Sequence, residues 1–429
     1  MKPLFVASAL LGATLGAQAQ TTAPATSAPA AQTPATSTAV PNATSLATPS
    51  SMPVPTPVPN GYDRLIAAAQ QILPGENGSP SAAEILAPDE NLRRQRLAVA
   101  RNAPALSAMR AALLLPIQTP PGVDFTQNGR LRELARQLIQ ESEVRAADGD
   151  FVGALNSRLD CLELGAAVSR GPLISMLVGS AIESVGRDKI EVLALKLDAP
   201  QSRAAASRLA QIEARRPTFS DIVRLEGEET LRLNLQALPD EARRAALGTP
   251  EGRKEQRISE RQARELLALT PEIVRANNTR LFSTAIAAAR VPLRLARMVP
   301  LPENLDSSTA WSRPLLQDQR ARSIYERNIA QNRLLQAAME LRAQKLETGA
   351  YPETFVAPRD PFSNEGRLIY RRTGDTYLLY SIGPDARDNG GRAASMQRVQ
   401  FDVDSGQTRT IPTRNLGTDF KGDLVAPVL

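Results

Sequence analysis

The chain has 429 residues, 42% hydrophobic and 22% charged, with a formal net charge of +6, no histidine and one cysteine, a length and composition that can bury a sizeable core. The lack of histidine excludes Ser-His-Asp and Cys-His catalysis and His-ligated zinc or haem, and the single Cys161 excludes an intramolecular disulfide. Only six of the 51 basic residues are lysine and aromatics make up 4%, so the positive balance reads as an arginine-rich, ion-paired surface, with no nucleic-acid partner implied.

Residues 1–19, MKPLFVASALLGATLGAQA, combine a basic residue, an apolar run from Leu4 to Leu15 and a small-x-small ending at Ala17-Gln18-Ala19. That is the pattern of a secretory signal peptide cleaved before Gln20, too short for a stable membrane span. The mature chain is expected to be exported, to the periplasm or to the extracellular side of the cell envelope, with no transmembrane segment. Residues 20–60 are nearly all Ala, Thr, Ser and Pro. Such a stretch cannot bury enough surface to offset its ordering entropy, so a disordered linker is expected, or a stalk of the same composition.

From 61 to 312 the apolar periodicity predicts an α-helical domain, with helices over 92–115, 131–147, 151–168, 173–197, 201–215, 219–238 and 260–298. Cys161 falls on an apolar helical face and reads as a buried small side chain. The string RAADGDFVGALNSRL resembles the turn of a tetratricopeptide repeat, with Gly149 and Asp150 between two helices and Phe151, Ala154 and Leu155 packing the second onto the first. One such unit implies an isolated helical hairpin, with a degenerate array as the alternative. The helix DIVRLEGEETLRLNLQAL spaces Asp221, Arg224, Glu228 and Arg232 for a surface ladder of ion pairs; paired carboxylates for acid-base work are the alternative. Trp311 lies in a Pro-bounded linker, 300–314, as an anchor or a ligand platform.

The carboxy-terminal region, 313–429, predicts a long helix beginning at Asp318, with Leu335, Ala338, Met339 and Leu346 as its buried stripe and Leu334 and Leu341 flanking it. Gly349 ends it and Pro352 prevents its resumption. Strands over 368–372 and 376–382 form one antiparallel hairpin, and strands over 397–404 and 407–411 a second. The expected class is α+β: a large all-α domain, then a long helix packed on a small antiparallel sheet.

The order Leu346, Gly349, Tyr351, Pro352, then Asp360-Pro361-Phe362, then Tyr377, Leu379, Ser381, Gly383, Asp385, Gly390 and Gly391 resembles the globular domain of type II secretion major pseudopilins. The match covers about 75 residues and implies a pseudopilin-like module. In that family a leader and a membrane-spanning helix precede the module; here it lies at the far end, so a pilus-subunit role is not implied. The resemblance further implies a calcium loop, with Asp385, Asp388, Asn389 and main-chain carbonyls near Ser381 as donors and Asp402 or Asp404 reaching over. Calcium takes about six to eight oxygens. The alternative is that Asp and Asn stabilise turns.

The chain therefore reads as an exported, non-catalytic interaction or scaffold protein whose partner is another protein or an envelope component. An exported hydrolase using carboxylates of the helical domain, with Glu183, Glu226 and Glu228 as candidates, is the alternative.

Overall fold

The computed structural model describes residues 59–73, 88–122, 126–303, 305, 312–317, 319–364, 366–393, 396–401, 408–413 and 422–429. The expected segment 1–19, the expected linker 20–60 as far as residue 58, Trp311, Asp402 and Asp404 lie outside them; Asn60, at the linker's end, caps the first helix. Residues 59–429 form one compact unit.

In chain order the helices are α1 (Gly61–Gln70), α2 (Pro88–Leu113), α3 (Gln127–Ala147), α4 (Phe151–Val168), α5 (Leu173–Arg187), α6 (Ile190–Ala194), α7 (Ala199–Ala214) and α8 (Phe219–Gln236). They continue as α9 (Glu241–Gly248), α10 (Pro250–Glu255), α11 (Glu260–Ala268), α12 (Pro271–Arg290), α13 (Leu293–Ala296), α14 (Ser312–Gln317) and α15 (Arg320–Thr348). Local chemistry explains where many begin. Asp150 accepts the Gly153 N–H at 2.8 Å, and Asp198, Thr218 and Ser259 form capping boxes with Gln201, Asp221 and Gln262.

The single helix expected over 260–298 is three helices. Pro271 opens α12 and Pro292 precedes α13, and the residue before each is extended; proline has no N–H to continue a helix and pushes its predecessor out of the helical region. The helix expected over 173–197 breaks at Asp188 and Lys189, where Lys189 adopts φ 56°. Helices α9 and α10 were not expected. Asp240 caps one, and Thr249 with Pro250 starts the other, in a stretch with few apolar residues to set a period.

α3 and α4 form the expected helical hairpin, with Ala154 and Leu155 buried and Phe151 partly so. α4 crosses α5 at van der Waals distance: a Cβ on Gly179 would lie 2.3 Å from the Gly165 carbonyl oxygen.

β1 (Ile369–Thr373) and β2 (Thr376–Ser381) pair antiparallel, from Ile369 opposite Tyr380 to Thr373 opposite Thr376. β3 (Met396–Phe401) and β4 (Thr408–Thr413) form a second antiparallel hairpin. β5 (Leu424–Val425), which the sequence reading lacked, adds antiparallel to the free edge of β2 and makes a three-stranded sheet ordered β1-β2-β5. The chain is thus mostly helical with a small antiparallel sheet, an α+β protein.

α15 starts at Arg320 and ends at Gly349, whose φ of 84° is the left-handed cap that glycine adopts without penalty. Leu335, Ala338 and Met339 are buried as expected, and so are Leu334, Ala337 and Leu341. The burial exceeds one stripe because α15 is covered by both parts of the chain: α7 and α5 of the helical region and β2 and β5 of the sheet contact it, and its apolar side chains join those of α4, α6, α7, the segment from Tyr351 to Leu368, β2 and the last residues in one continuous cluster. Leu346 is the exception to the expected stripe. It lies in the last turn, 49% exposed, beside the exposed Arg203–Glu347 ion pair. A second cluster fills the space among α1 to α5. Among the described residues no helix is long and apolar enough to cross a membrane.

Candidate functional site

Two groups of side chains carry the chemistry that the sequence offers. The first is the turn after β2. Ser381, at its end, is fully buried and donates its hydroxyl to Asp360 Oδ1 at 2.8 Å, while Asp360 Oδ2 accepts the Ile382 N–H at 2.9 Å and Oδ1 the Phe362 N–H at 3.0 Å. Burial pushes the Asp360 carboxyl above its usual range, and these donors pull against it.

Asp385, Asp388 and Asn389 lie further along the turn, and Asp423 closes them. Asp423 is buried and accepts the N–H groups of Asn389 at 3.3 Å and Gly391 at 2.7 Å. Asp385 accepts from Arg387 N–H at 3.2 Å and Gly422 N–H at 3.3 Å. Asp388 Oδ1 accepts from the Tyr380 hydroxyl at 2.9 Å and from Gly390 N–H at 2.8 Å. Of the four expected ligands, three therefore share the turn, whereas Ser381 belongs to the Asp360 cluster. Asp423 is the turn's buried acceptor that sequence reading missed, because it lies more than thirty residues from its partners. Among the described residues no group of three or more His, Cys, Asp or Glu side chains is placed to hold a metal ion.

The second group is the carboxylates of the helical region. Glu183 on α5 has no exposed surface. Arg216 clamps it from Nη1 to Oε1 at 2.8 Å and from Nη2 to Oε2 at 2.7 Å, and the same Nη2 reaches Glu213 Oε1 at 2.7 Å. Asn332 of α15 donates to both carboxylates, at 2.9 and 2.7 Å, and accepts from Arg187 at 2.8 Å. Two carboxylates thus face two guanidiniums across α5, α7 and α15. Burial raises the Glu183 carboxyl, but the Arg216 charge and hydrogen bonds outweigh it and hold the group below its usual range.

Glu226 stands apart from that network. It accepts the Leu173 N–H at 2.9 Å and so caps α5, whose Pro172 offers no capping side chain. Burial pushes it above the usual carboxylate range, against that hydrogen bond. Glu228 is exposed and pairs with Arg224 at 2.6 Å, one rung of the expected ladder. Asp221 caps α8 instead, and Arg232 turns to Glu229 and to Gln236. Cys161 is fully buried with its thiol pushed up to about 12 by burial, which leaves almost no thiolate at neutral pH.

Comparison of the chain with protein-family models, with curated proteins and with solved structures finds no match.

Proposed function

We propose that the chain is an exported, non-catalytic interaction or scaffold protein, in which a pseudopilin-like carboxy-terminal module is carried on a helical region. The engagement of the carboxylates carries the reading. A carboxylate hydrolase needs one acid to give a proton and a second carboxylate to attack or activate water. Glu183 and Glu213 do converge, but onto a shared Arg216 and Asn332 in the interior, while Glu226 caps a helix and Glu228 pairs at the surface.

The pseudopilin-like part draws support from the way its motif residues engage one another. Asp360 receives Ser381, the Tyr351 and Tyr377 rings meet edge to face at 4.7 Å, and their hydroxyls donate to the carbonyls of Leu429 and Pro427.

The purified chain tests the reading against panels of glycoside and ester substrates. Turnover at the uncatalysed rate is expected; turnover abolished by Glu226→Gln or Glu228→Gln establishes the hydrolase instead. Photo-crosslinking in the producing cell then identifies the protein or envelope component it contacts. Export predicts a mature amino terminus at Gln20, and a chain that retains residues 1–19 contradicts it.

A calcium ion in the 385–391 turn is a second reading and rests on the resemblance. As placed, the side-chain donors do not fit a cage of about six to eight oxygens, because Asp385 and Asp423 turn both carboxylate oxygens to N–H groups and Asp388 Oδ1 takes the Tyr380 hydroxyl and the Gly390 N–H. Thermal unfolding with calcium and with chelator decides it: a native-state ligand raises the melting temperature, and no shift at millimolar calcium removes the ion.

A further inference from the structure

We propose that the cleft between the end of α2, the last turns of α4 and the end of α7 binds a small carboxylate with an aliphatic body, of the medium-chain fatty-acid class. The cleft holds about 340 Å³, near the lower end of the roughly 300–1,000 Å³ typical of small-molecule sites. Leu115, Ile117, Ala166 and Ile212 form the apolar part of its walls, and Leu114 on its lining is 80% exposed, a large apolar side chain left to water.

Three charged side chains complete the lining: Glu163, Arg170 and Arg215. Glu163 is fully used, by Arg208 at 3.1 Å and Arg215 at 3.1 Å. Arg170 is half-buried and donates to the carbonyl oxygens of Ile117 at 3.4 Å and Arg215 at 2.5 Å, and among the described residues no carboxylate pairs with it. Burial, with Arg215 nearby, destabilises its charge. A half-buried guanidinium lacking an anion, beside a second guanidinium and above an apolar floor, is complementary to a carboxylate whose body is aliphatic. The volume restricts that body to a short chain and excludes a two-chain lipid. The inference goes beyond the scaffold reading and does not depend on it.

Octanoate, octan-1-ol and octylamine, titrated calorimetrically into the purified chain at low salt, separate charge from apolar attraction. Octanoate is expected to bind at one saturable site, octan-1-ol roughly tenfold or more weaker for want of a charge-assisted hydrogen bond, and octylamine not at all. Methyl resonances of Leu114, Leu115, Ile117 and Ile212 should shift with octanoate. Arg170→Gln should weaken octanoate by roughly tenfold. If that variant does not fold, Arg215→Gln, on an exposed side chain, should weaken it several-fold. Equal binding of octanoate and octylamine, no binding at millimolar octanoate, or shifts confined to other methyl groups would overturn the proposal.

Discussion

Arg216 and Glu183 meet as a two-armed pair, at 2.8 and 2.7 Å, around a carboxylate with no exposed surface. Removing one member of such a pair leaves the other charge buried and uncompensated, which typically costs about 3–5 kcal/mol. Glu183→Gln should therefore lower the urea midpoint strongly. Glu228→Gln, which breaks an exposed pair, should change stability by about 1 kcal/mol or less. Equal effects would place Glu183 outside the load that holds α5, α7 and α15 together.

Glu226 gives the opposite pH signature. Its folded-state carboxyl is raised by burial above the ordinary glutamate value of 4.5, so between 4.5 and the raised value the folded chain holds a proton that the unfolded chain has lost. Stability contributed by this group is full below 4.5 and falls as pH rises through that window. Glu226→Gln keeps an acceptor for the Leu173 N–H and removes the drop, so the variant should melt above the parent at pH 8 and close to it at pH 4. Glu183, lowered instead, contributes stability that is present above 4.5 and lost as pH falls.

The closeness of α4 and α5 makes Gly179 sensitive. A methyl group there would sit 2.3 Å from the Gly165 carbonyl oxygen and from Ser169 Oγ. Gly179→Ala should destabilise by roughly 1–3 kcal/mol or more, since neither helix can yield without opening the interior. A melting temperature equal to the parent's would contradict the crossing.

In the strand module, Asp423→Ala removes the acceptor of two amides in the turn after β2. Hydrogen exchange at Asn389 and Gly391 should accelerate while the amides of β1 keep their protection. Unchanged exchange at both residues would mean that the turn holds itself without Asp423.

Much of the architecture was open to reading because it rests on local signals. Gly349, the Thr373-Gly374-Asp375 turn and the apolar periods of α3 and α4 specify their elements within a few residues. Pro271 and Pro292 carried equally local stop signals, but the apolar period that runs across them masked three helices as one. The site was harder. Glu183 and Asn332 are 149 residues apart, and Gly391 and Asp423 are 32 apart; no spacing rule links such pairs, because folding brings them together. Asp360 and Ser381 were both visible as motif residues, yet their bond was not, because 21 residues separate them.

α15 serves the helical region and the strand module at once, so residues 59–429 should unfold as one cooperative body. Cys161, buried in the cluster among α1 to α5, and Tyr351 and Tyr377, which close the strand module, report on its two parts. Urea unfolding followed both by pulse labelling of the Cys161 thiol and by the ring resonances of Tyr351 and Tyr377 measures their coupling. Superimposable transitions are expected; Tyr351 and Tyr377 resonances lost at lower urea, with Cys161 still protected, would contradict a single cooperative body.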